Sequence, residues 1–188
     1  LAPLSATYWQ IGAALTVVSD ARQVIANPDQ VILATEVTQA HNDAGLLAPM
    51  VVHALEEIRA AGITEPIGTL VADGGYWSAQ AIAEVGAEGS DVLVPTANRH
   101  RRAPPRARPR QGEQARRIEA ILATEQGAAL YRRRQQIVEP IFAQTKVLRR
   151  MDRFQRRGLR ACRAEWRLIA ATHNLLKLWR SGRTTALA

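Results

Sequence analysis

Two carboxylates stand where chemistry would need them. Asp73 follows the apolar run Thr69-Leu70-Val71-Ala72 and precedes Gly74-Gly75. A carboxylate at the carboxyl end of a buried strand faces the edge where open α/β sheets hold their ligands. The two glycines let the backbone turn and let a ligand come close. On this segment alone, an Asp before Gly-Gly reads equally well as a turn residue. The second carboxylate is Glu139, seven residues before Lys146. On a helix that spacing puts both on one face, about 10 Å apart along the axis. Phe142 lies between them and Tyr131 falls in the same broad sector. A carboxylate, an ammonium and aromatic rings on one face suit metal binding beside phosphate binding. The alternative is a solvated Glu139 beside a buried stripe of Ile137, Ile141 and Leu148. Pro140 removes a helical hydrogen bond and disfavours α geometry at Glu139, which predicts a kink there.

The elements that would position these residues divide the chain in two. Gln23–Ala26 and Val31–Val37 are β-rich runs separated by Asn27-Pro28-Asp29-Gln30, which is type I turn chemistry and predicts an antiparallel hairpin. Asn42 or Asp43 can cap a helix over 44–61, where Leu46, Leu47, Met50, Val51, Ala54, Leu55 and Ile58 repeat at helical spacing and Gly62 ends the run. The strand 69–72 follows, then a helix over 79–85 capped by Ser78 and closed by Gly86, then the strand 92–94 stopped by Pro95. A hairpin followed by alternating helices and strands implies a mixed α/β sheet. Residues 98–112 hold six arginines and three prolines and cannot build a core, so they read as an exposed segment. Beyond them the pattern is helical, over 113–124, 131–150 and 161–180.

Composition bounds the rest. Of 188 residues 47% are hydrophobic, enough for a core and against wholesale disorder. The single cysteine excludes a disulfide scaffold or a cysteine-built zinc site and fits a reducing compartment. No uncharged apolar run is long enough to span a membrane. Residues 10–18 are apolar, but no basic residue precedes them, which argues against a secretory signal. The net charge of +8 is unevenly spread. Residues 1–98 carry two arginines against eleven acidic residues, and residues 99–188 carry 23 basic against six acidic. An arginine-dense half suggests a polyanionic partner, most simply nucleic acid; the competing explanation is an arginine bias of a GC-rich genome. Arg149, Arg150, Arg153, Arg156, Arg157, Arg160, Arg163 and Arg167 would form a basic surface suited to phosphate without sequence readout.

Taken together, the segments 31–51, 68–78, 91–96, 131–150 and 172–179 resemble the DDE transposases of bacterial insertion sequences. The resemblance rests on VILATEVTQAHNDAGLLAPMV, GTLVADGGYWS, DVLVPT, YRRRQQIVEPIFAQTKVLRR and THNLLKLW. It implies an α/β fold of the ribonuclease-H-like kind, with a mixed sheet, flanking helices and a helical carboxyl-terminal part. Residues 22–180 would be a partial catalytic domain, 1–21 a non-matching segment and 181–188 a tail. By the same resemblance Asp73 is the second catalytic aspartate and Glu139 the third carboxylate, both of them metal ligands. Tyr131, Arg134 and Lys146 match the accompanying tyrosine-arginine-glutamate-lysine signature and would contact DNA, with Arg149 and Arg150 beside them. Arg134 and Glu139 have four residues between them where some branches have three. The implied reaction is metal-dependent DNA strand cleavage and strand transfer at insertion-sequence ends. It would use two Mg²⁺ or Mn²⁺ ions roughly 3.5–4 Å apart, held by carboxylates. The implied partners are the element's ends and the target DNA, with no membrane, with homodimerisation an option for the full-length enzyme, and with a cytoplasmic, nucleoid-associated location.

One carboxylate of the family pattern is missing. The first aspartate belongs on a strand upstream of the hairpin, where the sole acidic residue of this chain is Asp20. The expectation is a domain truncated at its amino end, without its first strand, and inactive in DNA cleavage. The two-metal site would then form only in the complete protein. The alternative is a non-catalytic nucleic-acid-binding protein that keeps the fold. His173 reads as a hydrogen-bonded packing residue, Trp166 and Trp179 as anchors of the last helix, and Cys162 as structural. His41 and His53 have no partner at metal-ligand spacing, and His100 lies in the basic segment.

Overall fold

The computed structural model describes residues 13–19, 22–40, 43–64, 67–96 and 112–182, and for 13–19 only the backbone. Asp20, His41, Asn42, His100, most of the basic segment 98–112 and the last residues of the tail lie outside the described residues.

Five strands form one mixed sheet: β1 (Ala13–Ser19), β2 (Arg22–Ala26), β3 (Ile32–Val37), β4 (Thr69–Val71) and β5 (Asp91–Leu93). Their spatial order is β3-β2-β1-β4-β5. The hairpin is present as expected: β2 and β3 pair antiparallel from Arg22↔Val37 to Ala26↔Ile32, with a register shift at Ile25/Ala26. The first strand is a correction. The sequence reading left the sheet without it, yet β1 lies in the middle, antiparallel to β2 and parallel to β4. The Leu15-Thr16-Val17-Val18 run has the β-branched, apolar character of a strand enclosed on both sides.

Helices α1 (Leu47–Ala60), α2 (Ala79–Ala87), α3 (Glu113–Ala123), α4 (Glu125–Phe142) and α5 (Leu159–Arg180) cover the sheet. Helix α1 lies against β2, β3 and α2, α4 against β1 and β4, and α5 against β3. Strand β2 is buried along its whole length, as a strand with helices on both sides must be. Its Arg22 is only 4% exposed. The guanidinium donates to the carbonyls of Met151 (2.7 Å) and Asp152 (3.0 Å) and lies over the Phe154 ring. The core joins β2, β3 and β4 to α1, and takes in Trp166 of α5, which stacks on Phe142 of α4 with ring centroids 6.1 Å apart.

Three local expectations change. Asp43 does not cap α1: Leu46 is its N-cap, with no side-chain bond. Helix α4 starts at Glu125, six residues earlier than the spacing suggested, with Thr124 accepting from the Gly127 amide at 3.0 Å. Pro140 lies within α4, and the irregular geometry comes after it, as a π-helical turn over Ala143–Leu148.

Candidate functional site

Asp73 ends the β4 segment at its carboxyl edge and caps a single 3-10 turn, Gly74–Tyr76, accepting from the Gly74 amide at 2.8 Å. The turn reading of this residue therefore holds, and its carboxylate stands at the carboxyl edge of the sheet. Helix α4 brings two further groups to the same carboxylate. The Tyr131 hydroxyl donates to Asp73 Oδ1 at 3.4 Å, and Arg134 Nη2 lies 3.9 Å from that oxygen. Tyr131 and Arg134 are three residues apart, on one helix face, and the guanidinium sits 5.3 Å from the Tyr131 ring centre. Asp73 is 56% exposed while Arg134 is only 11% exposed, so the carboxylate opens to solvent from a braced base. Burial pushes the Tyr131 phenol above its ordinary value; the Arg134 charge opposes this and Asp73 adds to it.

Glu139 is not brought to Asp73 by any hydrogen bond or ion pair. It lies five residues past Arg134, which turns it about 140° around the helix axis. It is exposed, without a hydrogen bond or ion pair among the described residues. Lys146 falls in the π-helical turn, so the α-helical spacing that aligned it with Glu139 does not apply. Its Nζ lies 5.5 Å from the Phe142 ring centre. Arg149 is committed to α5, donating to Thr172 Oγ1 at 2.8 Å and to the Thr172 carbonyl at 3.1 Å. Arg150 is exposed, at a positive φ of 54°. Arg153, Arg156, Arg157, Arg160 and Arg167 are exposed as well, and Arg163 pairs with Glu36 on β3.

A carboxylate that the sequence reading used only as a helix cap belongs to this neighbourhood. Asp43 Oδ1 accepts from Gln23 Nε2 at 3.4 Å, and Oδ2 lies 3.5 Å from the place where a side chain on Gly75 would begin. Burial holds Asp43 above the usual carboxylate range; the Gln23 bond lowers it and the nearby Asp73 charge raises it again. Tyr76 is fully buried, and its ionisation is suppressed by burial first and then by Asp43 and Asp73. No local signal marks Asp43, four residues ahead of Leu47, because its neighbours Gln23 and Gly75 lie on other elements. Among the described residues, no three His, Cys, Asp or Glu side chains form a group able to hold a metal ion.

The remaining candidates are structural. His173 Nε2 bonds the Gln30 carbonyl at 2.9 Å. Asn174 meets Ile32 twice, accepting from its amide and donating to its carbonyl, each at 2.8 Å. Trp166 is fully buried and donates to the Gln23 carbonyl at 3.1 Å. Trp179, expected to pack, is 71% exposed near the end of α5. Cys162 Sγ donates to the Arg156 carbonyl, and His53 pairs with Glu57 at 3.2 Å.

A family model described as Transposase DDE domain matches residues 96–179, a little under half of the chain. The match takes in α3, α4 and α5 with Tyr131, Arg134, Glu139 and Lys146, and it stops short of Asp73. It supports a DDE transposase family and a transposition-related function, for which DNA is the implied partner and divalent metals are the ions generally used. No curated protein and no solved structure matches the chain. No helix among the described residues is long and apolar enough to cross a membrane.

Proposed function

We propose that this chain carries the catalytic fold of an insertion-sequence transposase, ribonuclease-H-like in plan, whose chemistry is metal-dependent cleavage and transfer of DNA strands. The observation that carries the reading is the meeting of Asp73, at the carboxyl edge of a parallel strand pair, with Tyr131 and Arg134 of α4. Two of the signature residues thereby stand on the carboxylate that the family pattern calls its second aspartate. The mixed five-stranded sheet with covering helices supports the same fold.

In such a reaction divalent ions would activate the attacking oxygen and stabilise the leaving one. Asp73 and Glu139 are the carboxylates proposed to hold them, with Mg²⁺ or Mn²⁺ as the ion. Arg134, Lys146 and the exposed arginines after residue 149 would hold phosphates, as guanidinium groups do through paired contacts. Positioning of this kind supplies much of the rate in phosphoryl transfer.

A second reading is favoured by one specific feature. Strand β1 contains no acidic residue between Ala13 and Ser19, and no hydrogen bond or ion pair joins Glu139 to Asp73 among the described residues. With the carboxylates arranged so, the chain would bind DNA without cutting it. The deciding experiment incubates the purified chain with supercoiled plasmid and with element-end duplexes in Mg²⁺ or Mn²⁺. The non-catalytic reading expects salt-sensitive DNA binding and no nicking. Metal-dependent nicking that disappears in both Asp73→Ala and Glu139→Ala would establish the catalytic reading instead. DNA affinity that stays flat as salt rises would remove both.

A further inference from the structure

Helix α5 turns Trp166, Ile169, Ala170 and His173 inward. A surface helix of this kind ordinarily presents charged and polar residues on the opposite side. Here the opposite side is apolar. Ala164, Leu168, Ala171, Leu175 and Trp179 recur there at helical spacing, all of them exposed, Leu168 to 66% and Leu175 to 64%. Beside them Arg149, bonded to Thr172, fastens the π-helical turn on which Val147 and Leu148 are exposed in their turn. Six of the eight large apolar side chains exposed among the described residues thus lie on α5 or on this turn. A patch so concentrated marks a surface that meets a partner.

The order of residues along the face indicates which partner. They are arranged symmetrically about the Ala171–Thr172 peptide. Leu168 stands as far before that point as Leu175 stands after it, and Ala164 as far before it as Trp179 after it. An antiparallel copy of the same helix, related by a two-fold axis at that point, would bring Leu168 onto the second copy's Leu175. It would also seat each bulky Trp179 over a small Ala164. Two-fold contacts are self-complementary in this way. A parallel pairing would instead set Trp179 against Trp179 and leave a gap at Ala164. The charges also suit the antiparallel register. Arg167 would be displaced about 13–14 Å along the axis from its own counterpart, and would face Leu178 rather than another arginine. Glu165 would come within a turn of the second copy's Arg180.

We propose that α5 pairs with the α5 of a second copy of this chain, antiparallel about Ala171–Thr172, to form a two-fold dimer. The pairing uses neither Asp73 nor DNA, so it stands apart from the catalytic reading.

The test is sedimentation of the full chain after nuclease treatment, so that no DNA bridges copies. A dimer is expected. Leu175→Glu should weaken it about thirtyfold or more, as loss of a central interface side chain does. Val52→Glu, at an exposed apolar position on α1, should leave it unchanged. Cross-linking in a Cys162→Ser background then reads the register. Positions 168 and 175 lie about 10 Å apart along one helix, beyond the reach of a disulfide. A bond formed when Leu168→Cys and Leu175→Cys are combined must therefore join two copies. The double variant should cross-link under mild oxidation, and each single variant should not. Circular dichroism checks that the variants fold. Should Leu175→Glu fail that check, the wild-type association state and the cross-links carry the test. A chain that stays monomeric at millimolar concentration would overturn the proposal, whether its face is bare or covered by a segment of its own. So would a dimer indifferent to a folded Leu175→Glu, or cross-linking by either single variant.

Discussion

Gln30 reaches from the β2–β3 turn to the carbonyl of Gln136, donating from Nε2 at 3.2 Å. Gln136 is four residues before Pro140, so its carbonyl is the one that the missing proline N–H cannot engage. The same turn residue binds α5 twice, through its own carbonyl to His173 and through its Oε1 to the Lys177 ammonium. It does so from a left-handed backbone conformation, φ 64°. A single polar side chain thus lets α4 run through its proline and fixes both long helices to the hairpin.

Removing that side chain should cost about 1–2 kcal/mol, the worth of its hydrogen bonds. Urea unfolding of Gln30→Ala measures this. In a Pro140→Ala background the helix regains its own donor to Gln136, so the cost of Gln30→Ala should fall by about 1 kcal/mol. Strictly additive costs would separate Gln30 from the proline gap.

At the α3–α4 junction Gly127 has no room for a side chain. A Cβ there would lie 2.0 Å from the Ile121 carbonyl oxygen and 2.7 Å from its carbon. Helix propensity alone favours alanine over glycine by about 1 kcal/mol. The clash should reverse that sign, so that Gly127→Ala destabilises by about 2–3 kcal/mol. Thr124→Ala, which removes only the cap, should cost about 1 kcal/mol. Thermal melts of the two variants give the ranking.

His173 sets a pH dependence. Burial pushes its imidazole below the ordinary 6.5, opposed by the Gln30 carbonyl bond and assisted by the Lys177 and Arg149 charges. The folded state therefore binds fewer protons than the unfolded one just below that value. The contribution is complete above pH 6.5 and is lost as pH falls from there through the lower folded value. Melting temperature should drop between pH 7 and pH 5, and a His173→Gln variant should show a smaller drop. Equal drops would show that this histidine does not carry the effect.

The arginine surface is tested through salt. Arg156, Arg157 and Arg160 are exposed. If each neutralises one phosphate, replacing all three with alanine should lower the slope of log affinity against log salt by about 2–3. Fluorescence anisotropy with a labelled duplex reads the slope, and an unchanged slope would place the DNA elsewhere.

Much of the fold was legible because its signals are local. The hairpin is two β-rich runs around Asn-Pro-Asp, and α1 carries its buried residues at helical spacing. Strand β1 pairs both with β2, which begins three residues after it ends, and in parallel with Thr69–Val71, more than fifty residues on; the second pairing, which sets it in mid-sheet, leaves no local mark. The candidate site divides in the same way. Strand and glycines make Asp73 a candidate that a turn residue would match equally well, and Tyr131 and Arg134 are candidates from their motif. Asp43 could not be found this way, since its carboxylate is defined by Gln23 and Gly75 on distant elements, while its local context suggested a cap. The relation of Glu139 to Lys146 is not legible for another reason: Lys146 lies within a π-helical turn, which uniform 3.6-residue spacing does not anticipate.

The Asn174 side chain bears on how the molecule meets copies of itself. Strand β3 is an edge of the sheet, and such edges invite another strand to add on. By offering an acceptor and a donor to both backbone groups of Ile32, the Asn174 amide occupies one rung of that vacant ladder. An incoming strand would have to begin its pairing beyond Ile32, beneath a helix already fastened there. At that rung the sheet edge is already closed by its own chain.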